Sequence, residues 1–110
     1  MALRRLLELP EPPTAVIAAT DVLAIGALHE AWQRGLVVGR DLSITGFDDI
    51  PVAAVSIPAL TTVRMPVREM VAAGVRMVIG EDGPAVSGAS AHPVHQPELI
   101  IRESTGRAPV

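Results

Sequence analysis

Two adjacent carboxylates, Asp48 and Asp49, end a stretch in which apolar and polar side chains alternate, residues 42–47. This alternation predicts a short β-strand with two different faces. In an open α/β sheet, ligands bind outside the carboxyl ends of the strands, and a carboxylate accepts hydrogen bonds from hydroxyl and N–H donors. The sequence therefore indicates a binding site at these acids. The spacing alone favours a second role, in which either carboxylate caps the helical turn that begins at Ile50.

A second candidate pair, Thr20 and Asp21, follows a nearly continuous apolar run over residues 14–19. Such a run is typical of a strand buried on both faces in a parallel sheet. Either side chain can accept a hydrogen bond from the next helix, and we expect Asp21 to cap it because a negative charge favours the helix's positive end. The helix is predicted to run to about Arg34, with Gly35 as its left-handed stop. Its apolar stripe consists of Ala24, Ile25, Leu28, Ala31 and Trp32.

The other residues that could do chemistry form no catalytic or metal-binding pattern. His92 and His95 are three residues apart, but a zinc site needs a third and fourth ligand, and His29 is remote in sequence. The sequence has no G-x-S-x-G elbow, no ordered acid–histidine pair and no glycine-rich phosphate loop after a strand. It also lacks cysteine, which excludes thiol catalysis and thiolate metal sites. We expect no enzymatic activity, no metal and no cofactor.

At 110 residues, the chain can form one domain or part of one. Hydrophobic residues make up 49% of it and the aromatics are only Trp32 and Phe47, so the core must be aliphatic. The net charge is −3 and the longest basic cluster is Arg4-Arg5, which argues against DNA binding by this segment itself. Its apolar runs are far shorter than the ~20 residues of a membrane helix. The start is too charged for a signal peptide, and we expect a cytoplasmic location.

The order of the predicted elements is that of a right-handed parallel α/β unit, in which helices and strands alternate. The elements are a helical stub at 3–7, a strand at 14–19, a helix to about 34, a strand at 42–47, a short turn at 50–58, a strand at 60–64, a helix from Pro66 to Gly80, a loop at 81–93 and extended segments at 94–101. Pro97 interrupts the last segments, which indicates a sheet edge.

Several of these stretches together resemble LacI/GalR-type transcriptional regulators. Residues 13–21, PTAVIAATD, and 23–28, LAIGAL, are similar to that family's "P-T-A-…-A-N-D-…-A-x-G-A-L" passage. Residues 41–49, DLSITGFDD, and 58–63, PALTTV, are similar to "D-V-S-V-x-G-F-D-D … P-x-L-T-T-V". The stretch at 97–104, PELIIRES, is similar to the closing "P-E-L-x-x-R-E-S". The matches cover nearly the whole chain, in order and at compatible spacings.

The resemblance implies an α/β, three-layer, periplasmic-binding-protein-like lobe (type I) with a parallel sheet, incomplete in this chain. Residues 1–65 and 94–104 would belong mainly to the second lobe of the effector domain, and the helix at 66–80 to the first lobe. That helix would then leave Val67, Met70, Val71 and Met77 exposed. The family's DNA-binding helix-turn-helix has no counterpart here. The implied function is sensing of a sugar-like or nucleoside-like effector that changes operator binding; the alternative is a solute receptor of a transport system.

The resemblance also implies roles for individual residues. Asp48 matches the position at which the family accepts hydrogen bonds from its effector, while Asp49 is left as a helix cap. Thr20, Val22, Met65 and Val67 match other positions that line the effector cleft. The family usually has Asn at the place of Thr20, and polar residues are common at the last two positions, so a less polar pocket is expected. The family's homodimer surface corresponds to Ile25, Leu28, His29, Ser56, Ile57 and Pro58; for Ile25 and Leu28, burial within one chain is the alternative.

Overall fold

The computed structural model describes residues 2–80 and 94–108. Its elements are α1 (Ala2–Leu7), β1 (Ala15–Ile17), α2 (Asp21–Gln33), β2 (Ser43–Thr45), α3 (Pro51–Val55), β3 (Thr62–Arg64), α4 (Val67–Ile79) and β4 (Glu98–Ile100). The chain divides into two compact units. The larger contains the described residues up to Arg64 and from Leu99 onward, and the smaller contains the described part of Met65–Glu98.

Strand β2 is the centre of the larger unit. It pairs in parallel with β1, with Val16 opposite Ile44. On its other side, an isolated parallel bridge joins Thr45 to Thr61, just before β3, and β3 forms a second two-stranded sheet with β4. The predicted parallel α/β arrangement is therefore confirmed. Each of the four described strands is three residues long.

The core lies between β2 and helix α2. Leu42 and Ile44 of the β2 segment pack against alanine and leucine side chains of α2, and Leu60 completes the cluster. The exposed fraction of Ile44 is zero, and burying such a side chain contributes roughly 1.5–3 kcal/mol. As predicted, the core is aliphatic.

Two predictions of burial are wrong. Ile17 of β1 is 86% exposed, because β1 pairs with β2 only, within the described part of the chain, and nothing there covers that face. The apolar run at 14–19 therefore does not form a strand buried on both faces. Trp32 is 74% exposed, because Ala24, Leu28 and Ala31 define the buried face of α2 and the next residue is rotated by about 100°. The Trp32 ring stacks on His29 instead, with ring centroids 6.0 Å apart.

Helix α4 of the smaller unit ends at Gly80, as the sequence predicts, and the φ of Gly80 is left-handed at 77°. Along α4 the buried residue is Ala73. The side chains of Val67, Met70, Val71 and Met77 are exposed, in agreement with the predicted apolar stripe. Among the described residues, no helix combines the length and the apolar character needed to cross a bilayer.

Candidate functional site

The carboxyl ends of β1, β2 and β3 meet at one edge of the larger unit. The N–H of Asp21 donates a hydrogen bond to the carbonyl of Phe47 (2.8 Å), which joins the exits of β1 and β2. The N–H of Asp48 donates to the carbonyl of Val63 (2.9 Å), which joins the exits of β2 and β3. The backbone of Asp48 is thus fixed where three strands end, as the alternation over 42–47 predicts. Each of the three aspartates at this edge has a different environment.

Asp48 is the exposed member of the three. Its φ is 107° and that of Asp49 is 53°, so two consecutive side-chain-bearing residues occupy left-handed backbone. Such conformations cost roughly 1–3 kcal/mol each and are found preferentially at functional sites. No side chain in the described ranges donates a hydrogen bond to the Asp48 carboxylate. As far as the described residues go, both of its oxygens are therefore available to donors on a ligand.

Asp49 is buried in an ion-pair cluster, and its predicted role as a helix cap is wrong. Helix α3 starts after Ile50 without a side-chain cap. The Asp49 oxygens instead accept from Arg102 Nη2 and from Arg64 Nε, each at 2.7 Å. Burial raises the pKa of Asp49, but the hydrogen bonds from Arg102 and Arg64 and their positive charges outweigh it, so the pKa lies below its usual value.

Asp21 is fully buried, and its predicted role as the cap of α2 is also wrong. The cap is Thr20, whose Oγ1 accepts from the N–H of Leu23 at 3.4 Å. The carboxylate of Asp21 turns inward and accepts hydrogen bonds from the N–H of Ile50 (2.8 Å) and from the hydroxyl of Thr62. Asp21 therefore ties the end of β1 to the segment after β2 and to β3.

Close packing around Asp21 explains the glycine in the stretch before the paired acids. A Cβ atom built at Gly46 would overlap the Asp21 carboxylate and come within 3.0 Å of both Asp21 Cα and Leu60 Cδ2. The N–H of Gly46 also donates to the carbonyl of Thr61 (3.0 Å). The residue before Phe47 is thus a point of close approach between β2, α2 and β3.

Sequence reasoning missed the residues of the closing segment that complete this edge. Arg102 lies 53 positions from its partner Asp49, and no periodic pattern links them. The hydroxyl of Ser104 donates to the carbonyl of Ile44 (2.6 Å) and accepts from the N–H of Thr61 (2.8 Å). The signal in the sequence was only the resemblance of the stretch at 97–104, which carried no assigned role.

The remaining predicted effector residues are divided between the two units. Thr20 is half-buried and Val22 is exposed, and the bond between Asp21 and Phe47 places both at the same edge as Asp48. Met65 is half-buried and Val67 is exposed, and both belong to the smaller unit. Their contribution to a ligand site stays a prediction.

The predicted dimer surface is changed at one position. Leu28 is only 6% exposed and belongs to the core, so its assignment to a dimer contact is wrong. Ile25 is half-buried, packed against that core, and His29 is exposed. In the segment that follows α3, Ile57 is 94% exposed and its neighbours Ser56 and Pro58 are half-buried. The hydroxyl of Ser56 lies 3.1 Å from the carbonyl of Ala53 and 3.0 Å from that of Pro58, and its single proton is shared between them.

Two other features lie apart from the carboxylates. An apolar hollow of about 320 Å³ is formed by α1, β1 and α2, and its lining includes Leu3, Leu6, Ile17 and Leu23 but none of the three aspartates. Of the histidines considered for a metal, His92 lies outside the described residues. Over the ranges that the structure describes, no three residues of metal-binding type are grouped.

Known proteins match the chain in sequence and in fold. Residues 1–105 match the model of the family described as "periplasmic binding protein-like domain". The HTH-type transcriptional regulator MalR of Streptomyces coelicolor is 47% identical over 96 residues, which is 87% of this chain and 28% of MalR. The HTH-type transcriptional repressor CytR of Escherichia coli K12 is 41% identical over 109 residues, 98% of this chain and 31% of CytR. The chain thus spans about a third of the length of these relatives.

Among solved structures, a sugar-binding LacI-family transcriptional regulator from Escherichia coli, complexed with phosphate, is similar with a TM-score of 0.73 and 36% identity. The match covers 87% of this chain and 34% of that one. These relatives are transcriptional regulators and not enzymes. The chain therefore belongs to the periplasmic binding protein-like domain family, in the form that LacI-family transcriptional regulators carry.

Proposed function

We propose that this chain is the effector-sensing part of a DNA-binding transcriptional regulator, and that Asp48 accepts hydrogen bonds from a sugar-like or nucleoside-like ligand. The observation that carries the proposal is the contrast among the three aspartates. Asp21 and Asp49 are buried and satisfied, whereas Asp48 is exposed at the convergent strand ends in a costly backbone conformation. Ligands of either class are rich in the hydroxyl and N–H donors that a carboxylate binds.

Thr20 and Val22 extend the proposed site on the same edge, and Met65 and Val67 are the other two residues predicted to line the ligand. Thr20 already accepts a hydrogen bond from the backbone of α2, so its hydroxyl can offer a donor to a ligand. The three other side chains are apolar, which favours a ligand with one polar edge that faces Asp48 and a less polar remainder. A related structure is described as sugar-binding, which supports the sugar class.

The domain assignment follows from the same proposal. Residues 1–65 and 94–104 would form most of one lobe, and 66–80 a helix of the other lobe. The effector would then change operator affinity by favouring one arrangement of the two lobes, which requires that it bind that arrangement more tightly. The relatives are named HTH-type regulators, and the negative net charge of this chain fits DNA recognition by such a separate motif. The intact regulator would act in the cytoplasm.

We further propose that the intact regulator is a homodimer that uses His29, Ile57 and the exposed edge of Ile25. Almost the whole side chain of Ile57 is exposed, so its apolar surface is accessible to a second copy of the chain. A two-fold arrangement would present two DNA-reading motifs at once.

The test has two parts. The first is to sequence the gene upstream of the codon for Met1: an in-frame helix-turn-helix supports the regulator, and an export signal supports the solute receptor. The second is to add sucrose or cytidine, one member of each ligand class, to the complete gene product and to measure the change in melting temperature. A ligand present at 100 times its Kd stabilises the folded state by about 2.7 kcal/mol.

The variant Asp48→Asn should lose most of this stabilisation, because the amide offers one acceptor oxygen and no charge. Glu11→Gln is the matched control, since Glu11 is exposed and lies in the connector between α1 and β1. If Asp48→Asn responds to the ligand as the wild type does, Asp48 is not part of the site.

A further inference from the structure

The turn at Asp48 and Asp49 needs support from outside its own sequence. Both residues have positive φ, a conformation that side-chain-bearing residues adopt only when the surroundings impose it. Glycine at either position would relieve the cost, but neither is glycine. The contacts around the turn therefore determine where the Asp48 carboxylate is held.

Four hydrogen bonds among the described residues hold the turn. The N–H of Asp48 donates to Val63, and the N–H of Ile50 donates to the carboxylate of Asp21. Between these two hydrogen bonds, the carboxylate of Asp49 accepts from Arg64 and Arg102. We call this ion-pair cluster of Asp49, Arg64 and Arg102 the clamp. Since the Asp49 carboxylate is only 7% exposed, loss of its partners would leave a buried charge uncompensated, which is strongly unfavourable.

The two arginines differ in how much of the side chain is exposed to solvent. The side chain of Arg64 is 51% exposed and that of Arg102 is 16% exposed. Arg102 also donates through Nη1 to the carbonyl of Leu60 (2.9 Å), and its backbone N–H donates to Thr61 Oγ1 (2.9 Å). Its guanidinium is thus fixed on two sides. An ion pair with one partner in solvent contributes less to the free energy of unfolding than a buried pair of fixed geometry. Breaking the buried pair is strongly destabilising.

We propose that Arg102 is a positioning residue for effector binding, which acts through Asp49 to hold Asp48 at the strand ends. The expected effect on ligand binding rests on the proposed function. The effect of Arg102 on the conformation of the turn does not, because it follows from the ion pair with Asp49. The clamp makes the closing segment of the chain, from which Arg102 comes, a part of the effector site without any contact between Arg102 and the ligand.

This role of Arg102 is tested first without any ligand, by NMR on the complete gene product. In the wild type, the intraresidue NOE between the amide and α protons of Asp48 should be strong, as positive φ requires, and its amide should exchange slowly because it donates to Val63. Arg102→Gln should weaken this NOE and speed amide exchange by about tenfold, because the free energy needed to open the turn locally decreases. Arg64→Gln, the matched control, should speed exchange less than Arg102→Gln does, because Arg64 is the more exposed partner and Arg102 still neutralises Asp49 in that variant. Arg102→Lys should give an intermediate value, because lysine keeps the charge but lacks the planar fork.

If Arg102→Gln retains the wild-type NOE and exchange rate at Asp48, the proposal is wrong. Should Arg102→Gln not fold, Asp49→Asn removes the same ion pair with little change in shape and decides the question by the same two measurements. The second stage is the affinity of the complete gene product for sucrose or cytidine, whichever raises its melting temperature. Arg102→Gln should weaken that affinity by about tenfold, and Arg64→Gln should weaken it less. A clamp confirmed by NMR in a protein that binds neither ligand would contradict the proposed function and leave the role of Arg102 in the turn established.

Discussion

Replacing Gly46 by alanine tests the packing on which the candidate site depends. The added methyl group would overlap the Asp21 carboxylate and crowd Leu60. The carboxylate cannot swing away freely, because it accepts hydrogen bonds from Ile50 and Thr62. Overpacking of this kind costs about 1–3 kcal/mol, and loss of one hydrogen bond to a buried acceptor adds about 1–3 kcal/mol. The expected destabilisation is therefore roughly 2–6 kcal/mol.

The assay is urea denaturation followed by far-ultraviolet circular dichroism, since Trp32 is exposed and reports poorly on the core. In thermal melts, each kcal/mol corresponds to about 4–8 °C for a domain of this size. Gly74→Ala is the matched control: a Cβ there meets no atom within 4 Å, and alanine in place of a mid-helix glycine stabilises by about 0.5–1 kcal/mol. The two substitutions should therefore have opposite signs.

A double-mutant cycle locates the cause. If the clash is with the carboxylate, Gly46→Ala should cost much less in an Asp21→Ala background, with a coupling free energy of about 1–3 kcal/mol. Equal costs in both backgrounds would refute the explanation, and so would a cost below about 0.5 kcal/mol in the wild type.

Two further predictions concern the same unit. Ile44→Ala should lower the free energy of unfolding by about 2–5 kcal/mol, because its side chain is fully buried. Ile17→Ala on the neighbouring strand should change it by less than about 0.5 kcal/mol, because Ile17 is 86% exposed. Urea titration of both variants measures the difference. Hydrogen bonds from Arg40 and from the N–H of Val37 lower the pKa of Asp41 from 3.8 to about 2, so its contribution to stability is present above pH 3.8 and is lost as the pH falls towards 2. Melting temperatures measured across that range should fall more steeply for the wild type than for Asp41→Asn, and equal slopes would contradict the prediction.

The sequence predicted the elements better than it predicted their surroundings. Alternation over 42–47 placed β2 and the acids at its end, because period and strand termini are local properties. Burial on both faces at 14–19 was wrong, because it depends on which elements cover β1. The caps assigned to Asp21 and Asp49 were wrong for a related reason. Their carboxylates are satisfied by groups 15 to 53 positions away, and no local pattern contains such pairings.

The three aspartates show why residue type alone cannot assign a role at a strand edge. Asp21 lies beneath the edge and serves as a structural acceptor for N–H and hydroxyl groups. Asp49 is neutralised by two arginines, so it has little capacity left for a ligand. Asp48 alone, of these three, keeps unoccupied acceptors while its backbone is fixed on both sides. A binding carboxylate needs both properties, because a mobile acid would have to lose entropy on binding and a satisfied one would have to exchange its partners. The two buried acids therefore supply the rigidity that leaves the third free to bind.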